Sequence, residues 1–355
     1  MEHGARLRHL RGTERGAGLH RVRDSPDLAT IFSLLRNQLL LGLSGVWTVS
    51  VLSREEFPTF YALTSVDTSA PAVLLGVLAA APLVAAGLAL SRSDSRALVD
   101  INASTSQLAL RLFGSQRRLV QVVFLALLLG GVTGVAEELS FRGLAVPVLA
   151  QRLALDLASP PGAAGALALS ALSFGAAHWS LGGGWRDNAV TTGLQTLTGL
   201  YLGGLFLAAG GNLAVPALAH AVYDAFTLLE AHVAAVAQID YADDAARAAA
   251  ARGGEDAGGE AAANELRVFF LADTTRDACL SLPEVRAALR QLGVGMEEEA
   301  LRALFAEADA GGDGLLSLPE FCALAALLRG GAEGGEGTWP ARLRRAPVAP
   351  SGFLW

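Results

Sequence analysis

The fold is decided by the stretch "LVQVVFLALLLGGVTGVAEELSFRG", residues Leu119–Gly143, which places charged side chains inside an apolar run. A membrane-spanning helix needs about 20 predominantly apolar residues, and the residues before Glu137 are apolar enough to begin one. Glu137, Glu138 and Arg142 then interrupt the run before apolar residues resume. A charged side chain at the centre of a bilayer costs ~2.5–3.5 kcal/mol on insertion scales. The stretch therefore predicts a membrane helix whose charged groups serve a function.

The wider composition is that of a membrane protein. Of the 355 residues, 52% are hydrophobic and 17% are charged, and the mean hydropathy is +0.41. We predict an all-α, polytopic transmembrane helical bundle of six spans, with seven or eight as the alternative. The third span is expected to continue through Arg142 to about Leu155, as one long helix or as a broken pair. The six apolar segments are Ile31–Leu52, Pro71–Leu90, Leu119–Leu139, Ala163–Leu181, Ala189–Gly210 and Leu213–Ile239.

The distribution of charge argues against a nucleic-acid partner and predicts an orientation. The formal net charge is −7, so a basic nucleic-acid surface is not expected. Arginines concentrate in the N-terminal tail and in Ser91–Arg118, which the positive-inside rule places on the side of synthesis. The tail is also a candidate targeting segment, which suggests a plastid membrane, with the endoplasmic reticulum as the alternative. Cys279 and Cys322 suit a reducing compartment.

Polar residues recur four positions apart in three apolar segments, a spacing that puts both members on one helix face. Each pair alone is as compatible with a structural salt bridge or a helix clamp as with catalysis. Together they predict three helices that direct polar groups towards one cavity, because small residues surround them. The pairs are Glu138 with Arg142, Phe174 with His178, and His220 with Asp224.

Two stretches near the C-terminus follow the pattern of the EF-hand calcium loop: "DTTRDACLSLPE", Asp273–Glu284, and "DAGGDGLLSLPE", Asp309–Glu320. In the first loop Ala278 stands where a turn glycine with positive φ is expected. In the second, Gly311 offers no side-chain oxygen. A degenerate pair retained as a docking module is the alternative. The predicted Ca²⁺ ligands are Asp273, Thr275, Asp277, Cys279, Ser281, Glu284, Asp309, Asp313, Leu315, Ser317 and Glu320.

Changes in composition divide the chain into five parts. We predict a basic tail over 1–28, a multi-span membrane domain over 29–240, a flexible linker over 241–264, a soluble EF-hand pair over 265–330 and a disordered tail over 331–355.

The order of the polar pairs resembles a known family. "EELSFR", "FGAAH" and "HAVYD" match the EExxxR, FxxxH and HxxxN/D motifs of the CPBP family of CAAX-type prenyl proteases, also called Rce1-like or ABI intramembrane proteases. The resemblance covers roughly Leu119–Leu229. It implies a polytopic helical bundle with a cavity within the membrane, whose substrate is a prenylated or other membrane-embedded peptide.

The resemblance also implies a role for each motif residue. Glu137 resembles the glutamate that activates a water, which His178 helps to hold. His220 and Asp224 resemble the pair that stabilises the oxyanion, and Glu138 and Arg142 have a structural or electrostatic role. Two histidines and a carboxylate are also the ligand types of Zn²⁺. No HExxH helix is present, so a zinc metalloprotease is the alternative to a metal-free, glutamate-dependent mechanism.

These observations predict a calcium-regulated intramembrane endopeptidase with a glutamate-activated water. A non-proteolytic membrane scaffold, whose partner docking is controlled by calcium, is the alternative from another class. A transporter that uses Glu137 and Arg142 is less favoured, because the sequence has no visible inverted repeat.

Overall fold

The computed structural model describes residues 25–51, 65–180, 185–253, 265–266, 268–291 and 296–330. These residues form two compact units. The bundle unit comprises Pro26–Leu90 and Arg111–Val233. The EF-hand unit comprises Ser91–Leu110 and the described residues from Ala234 onward. Both are helical, apart from one short pair of strands, so the prediction of an all-α fold is confirmed.

The bundle unit is built from helices that match the predicted apolar segments. In chain order they are α1 (Leu28–Val51), α2 (Ala70–Ala79), α3 (Ala81–Leu90), α5 (Leu119–Glu138), a π-helical segment (Leu139–Ala145), α6 (Val146–Arg152), α7 (Pro160–Ala177), α8 (Trp185–Ala208) and the first part of α9 (Ala214–Gly253). Helix α4 (Arg96–Phe113) begins in the EF-hand unit.

Two of the described helical stretches are long and apolar enough to cross a membrane. Ala70–Leu90 has 21 residues and contains α2 and α3, while Leu119–Arg152 has 34 residues and contains α5, the π-helical segment and α6. The third predicted segment is therefore one continuous helical stretch with a π-helical segment in the middle. The other four predicted spans coincide with α1, α7, α8 and α9, and the total of six stays a prediction.

Glycines allow the helices of the bundle unit to approach closely. A Cβ atom on Gly134 would lie 2.7 Å from the carbonyl oxygen of Ala217, and one on Gly130 would lie 2.6 Å from that of Ala221. Helix α5 therefore contacts the backbone of α9 directly, which is the packing that small residues favour in lipid. This contact brings Glu137 and Glu138 next to the first turns of α9.

The predicted linker over 241–264 is wrong in its first half. Helix α9 continues without a break to Gly253, while residues 254–264 lie outside the described part of the chain. The segment lacks apolar periodicity, but it is rich in alanine, which has the highest intrinsic helix propensity. The helix propensity of these alanines therefore extends α9 beyond residue 240. The predicted tails, residues 1–24 of the first and 331–355 of the second, also lie outside the described residues.

The EF-hand unit contains two helix–loop–helix repeats. Residues 265–266 and 268–272 are helical and enter the first loop, which continues through strand β1 (Leu280–Ser281) into helix α10 (Leu282–Gln291). Helix α11 (Glu298–Ala308), strand β2 (Leu315–Leu316) and helix α12 (Leu318–Gly330) form the second repeat. The strands pair antiparallel, with Leu280 opposite Leu316, and join the loops. The core that the repeats share includes Phe269, Leu280, Val285, Leu301, Phe305, Leu316, Phe321 and Leu324.

Candidate active site and calcium loops

Helix α5 ends with two adjacent buried glutamates that have different partners. The side chain of Glu138 is fully buried, and its Oε1 accepts hydrogen bonds from Arg142 Nη1 at 2.8 Å and from His220 Nδ1 at 2.9 Å. Consecutive residues on a helix point about 100° apart. Glu137 therefore faces other groups, although it is only 3% exposed.

Arg142, in the π-helical segment after α5, contacts residues of α7 and α8. Its guanidinium is 1% exposed, and besides the ion pair with Glu138 it donates to the carbonyl oxygen of Gly199 at 3.0 Å. The guanidinium carbon also lies 4.8 Å from the centre of the Phe174 ring. A buried charge with such partners is costly to leave unpaired. The predicted structural role of Arg142 thus has a physical basis in these contacts.

His220, on the first turns of α9, lies among three carboxylates. While Nδ1 bonds to Glu138, its Nε2 lies 3.6 Å from Asp224 Oδ2 and 3.8 Å from Glu137 Oε2. The last two distances are longer than hydrogen bonds. Glu138 therefore fixes the imidazole ring, and the other ring nitrogen faces Glu137 and Asp224 across short gaps.

Gln38 is a member of this cluster that the sequence analysis missed. It lies on α1, is 3% exposed, and donates from Nε2 to Glu137 Oε1 at 3.0 Å. The available signal was a glutamine inside the run "LLRNQLLLGLSG". The neighbouring Arg36 and Asn37 obscure this signal, because polar residues at the start of an apolar segment are also typical of the membrane surface.

His178 bonds to the backbone through one of its two ring nitrogens, and its predicted role in holding the water stays a prediction. It follows the last residue of α7, and its Nδ1 lies 2.8 Å from the carbonyl oxygen of Phe174. Within the described chain it makes no hydrogen bond to Glu137. The rings of His178 and His220 both contact Phe174, with centres 4.8 and 6.1 Å from that of the phenylalanine.

Five of the six predicted active-site residues thus come together in the structure: Glu137, Glu138, Arg142, His220 and Asp224. The described residues contain no group of three or more His, Cys, Asp or Glu side chains arranged as ligands of one metal ion. Zinc sites use three or four such ligands, whereas Glu138 is already bonded to Arg142 and His220 Nδ1, so the described cluster does not fit a zinc site.

In the first EF-hand loop, two buried carboxylates organise the backbone. Glu284 Oε1 accepts from the backbone N–H of Thr274 at 2.9 Å, and its Oε2 accepts from that of Ser281 at 2.9 Å. Asp273 Oδ2 accepts from the N–H of Ala278 at 3.0 Å. Burial raises the pKa of Asp273 above its ordinary value, and the charge of Glu284 raises it further.

The backbone of the first loop carries the strain that its sequence predicts. Ala278 has φ 64° and Arg276 has φ 63°, in the region that residues with a Cβ rarely adopt. The matching positions of the second loop are Gly314, with φ 81°, and Gly312, with φ 67°. Both loops have positive φ at these two positions, but only the second has glycine there, which adopts this φ without steric strain.

The second loop gathers its carboxylates around Gly311. A Cβ at this position would lie 3.5 Å from Glu320 Oε1, 3.9 Å from Asp309 Oδ1 and 4.0 Å from Asp313 Cγ. Hydrogen bonds from Ser317, first from its hydroxyl, hold the pKa of Glu320 below its ordinary value. Carboxylates alone do not complete a ligand set here, and the EF-hand adds backbone and hydroxyl oxygens. This all-oxygen environment fits Ca²⁺.

The fold and the cluster together define a helical membrane protein with buried acidic and histidine groups, joined to an EF-hand pair. Residues 119–226 match the family model of the type II CAAX prenyl endopeptidases, Rce1-like, and residues 266–326 match that of the EF-hand domain pair. The resemblance predicted from the motifs is therefore confirmed for both segments. The matches support a peptidase in the membrane and calcium binding at the C-terminal pair. No curated protein and no solved structure gives a significant match.

Proposed function

We propose that the protein is an intramembrane endopeptidase of the CAAX type, in which Glu137 activates a water for attack on a peptide bond. The observation that carries the proposal is the position of Glu137: one carboxylate oxygen is held by Gln38, and the other faces His220 Nε2 at 3.8 Å. Within the described residues this second oxygen accepts no hydrogen bond. A general base needs such an oxygen within reach of the water it deprotonates.

Glu138 and Arg142 act as a positioning pair. Because Glu138 is committed to Arg142 and to His220 Nδ1, it is not available as the base. It keeps the imidazole ring of His220 in place, and Arg142 offsets its charge. The remaining oxygen of Glu138 is buried and has no partner among the described residues. Buried groups of this kind bind water in proteins.

His220, protonated on both ring nitrogens, then donates from Nε2 to the developing oxyanion, together with Asp224, because its Nδ1–H is already donated to Glu138. A hydrogen-bond donor aimed at the oxyanion contributes more to acyl-transfer catalysis than most other single groups in an active site. The carboxyl group of Asp224 assists only when it is protonated or paired, and His220 lies 3.6 Å from it. His178 uses Nδ1 for the carbonyl of Phe174, which leaves Nε2 to hold the water.

The substrate is a prenylated C-terminal peptide or another membrane-embedded peptide. The apolar helices around the cluster favour a substrate that partitions into lipid. Large apolar side chains on α1 and α5, such as Leu43, Trp47, Phe124 and Leu127, are exposed on the protein and suit contact with acyl chains. The proposed location is a plastid membrane, with the endoplasmic reticulum as the alternative.

Calcium regulates the enzyme through the EF-hand unit. The segment Ser91–Leu110 lies in sequence between the two candidate spans and packs with the EF-hand pair in one unit. Arg286, on α10, pairs with Asp100 at 3.1 Å, and the two side chains are 7% and 18% exposed. Burial and the charges of Glu284 and Asp277 raise the pKa of Asp94 in the same segment. Residues before and within α4 therefore experience the charge of the first loop.

A cleavage assay tests the proposed activity. Purified protein in detergent is mixed with a farnesylated, internally quenched peptide that ends in Cys-aliphatic-aliphatic-Met. We expect cleavage by the wild type and a loss of several orders of magnitude in Glu137→Gln, which keeps the shape and removes the base. Glu230→Gln, on α9, is the matched control. Unchanged turnover in Glu137→Gln contradicts the role of Glu137, and no cleavage by wild type favours the calcium-controlled scaffold.

A further inference from the structure

Gln38 belongs to α1, which lies outside the residues that match the protease family. Along this helix the buried positions recur every seventh residue, at Ile31, Gln38 and Gly45. Seven residues are about two turns, so these positions form one narrow face. Leu39, Leu40 and Leu43 lie on other faces and are exposed. A glutamine thus occupies the centre of the only strip on which α1 is buried within its described residues.

Close packing of α1 against the α5 stretch determines which residue of α5 lies beside Gln38. A Cβ on Gly42 would lie 3.5 Å from Ala136 Cβ, and a Cβ on Gly45 would lie 3.5 Å from Ser140 Oγ. Ala136 and Ser140 are four residues apart on the face of the α5 stretch that α1 contacts. These contacts bring the Gln38 amide to Glu137 Oε1 at 3.0 Å.

The hydrogen bond is not explained by stability alone. Burying an amide destabilises a protein unless its groups are hydrogen-bonded, and Gln38 Oε1 is buried without a partner in the described part of the protein. Interhelical hydrogen bonds of this kind contribute little to the stability of membrane proteins on average. An apolar residue would fill the same position without the unpaired oxygen.

We infer that Gln38 is a positioning residue for the general base. Its N–H holds Glu137 Oε1, so the carboxylate cannot rotate, and Oε2 stays directed towards His220 Nε2. Glu137 is then held in the one rotamer that can deprotonate the water, which is the advantage of a pre-organised site. This inference rests on the proposed function, because it assumes that Glu137 is the base.

The test is Gln38→Met in the full-length protein, with the farnesylated quenched peptide as substrate. Methionine has similar length and flexibility and suits an apolar helix, but it donates no hydrogen bond. Loss of a hydrogen bond to a charged group, if it acts in the transition state, lowers a rate constant by roughly ten- to a hundredfold. We expect kcat to fall by this factor, while KM changes less than about twofold. Gln195→Met, at a half-buried position of α8, is the matched control and should retain the wild-type kcat.

A second variant, Gln38→His, separates positioning from packing. Histidine has an N–H donor at a comparable distance from its backbone, so we expect it to recover much of the lost kcat. If Gln38→Met does not fold, judged by size exclusion in detergent, Gln38→His against Gln38→Leu makes the same comparison. A wild-type kcat in Gln38→Met, or a rise in KM alone, overturns the inference. Glu137→Gln is assayed in parallel: if it remains active, the proposed function fails, whereas its loss with an active Gln38→Met refutes only the role of Gln38.

Discussion

Glu138 Oε1 and His220 Nδ1 lie 2.9 Å apart, both within the buried interior, and join the end of α5 to the beginning of α9. The same oxygen also accepts from Arg142, so one carboxylate fixes two side chains on two helices. The adjacent Glu137 has no ion pair with an arginine among the described residues. The contacts therefore distinguish the two neighbouring glutamates: Glu138 is held in an ion-paired network, whereas Glu137 keeps one carboxylate oxygen available.

The first prediction is that substitutions of these two glutamates change the stability of the protein by different amounts. Glu138→Gln should destabilise the protein by about 3–5 kcal/mol, because it leaves the Arg142 guanidinium buried without its counter-charge. Glu137→Gln should change stability by much less, since the amide can still contact Gln38. Thermal unfolding in detergent, followed by circular dichroism, measures both. Equal melting temperatures for the two variants would show that Glu138 does not carry the network.

The second prediction concerns the metal. Because the cluster does not fit a zinc site, a zinc chelator such as 1,10-phenanthroline should leave peptide cleavage unchanged at a fixed calcium concentration. The control is a calcium-selective chelator, which acts on the EF-hands. Loss of activity with phenanthroline, restored by Zn²⁺ and not by Ca²⁺, would instead identify a metalloprotease.

The third prediction uses the matched positions Ala278 and Gly314. A residue with a Cβ pays about 1–2 kcal/mol at positive φ, while glycine loses about 0.5–1 kcal/mol of backbone entropy. Ala278→Gly should therefore strengthen calcium binding by roughly two- to fivefold. Gly314→Ala should weaken it, because it introduces the same strain into the second loop. Titration calorimetry on the full-length protein in detergent checks both. If neither variant differs from wild type, the loops do not bind calcium in this conformation.

Much of this site was predictable, and the exceptions have physical reasons. The spacing of four gave the Glu138–Arg142 and His220–Asp224 pairs, because helix geometry is local. Contacts between distant segments are different. Gln38 and Glu137 meet only because α1 packs on α5 through Gly42, and no local pattern encodes that register. The bond from His178 Nδ1 to the carbonyl oxygen of Phe174 was also not predicted, because it depends on how α7 ends.

The fourth prediction is that acid removes calcium from the first loop before the second. Protons compete with calcium for carboxylates, and a group with a higher pKa takes up its proton at a higher pH. The pKa of Asp273 is raised, chiefly by burial, whereas that of Glu320 is lowered by the hydrogen bonds from Ser317. As the pH falls, affinity is therefore lost first at Asp273.

Two variants isolate the loops for this measurement. Glu320→Gln leaves the first loop as the binding site, and Glu284→Gln leaves the second. Calcium titrations of both at a series of decreasing pH values should show the steeper early loss in Glu320→Gln. The opposite order would contradict the assignment.

The last prediction concerns the ion pair between Asp100 and Arg286. Glu284, the last predicted ligand of the first loop, lies on the same helix as Arg286, separated by one residue. Sensor EF-hands change the angle of the exit helix when they bind calcium, so a change at Glu284 reaches Asp100 through Arg286. Asp100→Asn should therefore uncouple peptide cleavage from calcium, while calcium binding itself remains. The matched control is Asp244→Asn, in the same unit, whose partner Arg247 is 75% exposed; exposed pairs contribute little. Cleavage rates are measured against free calcium for both variants. A calcium response in Asp100→Asn as large as in wild type would show that the signal takes another route.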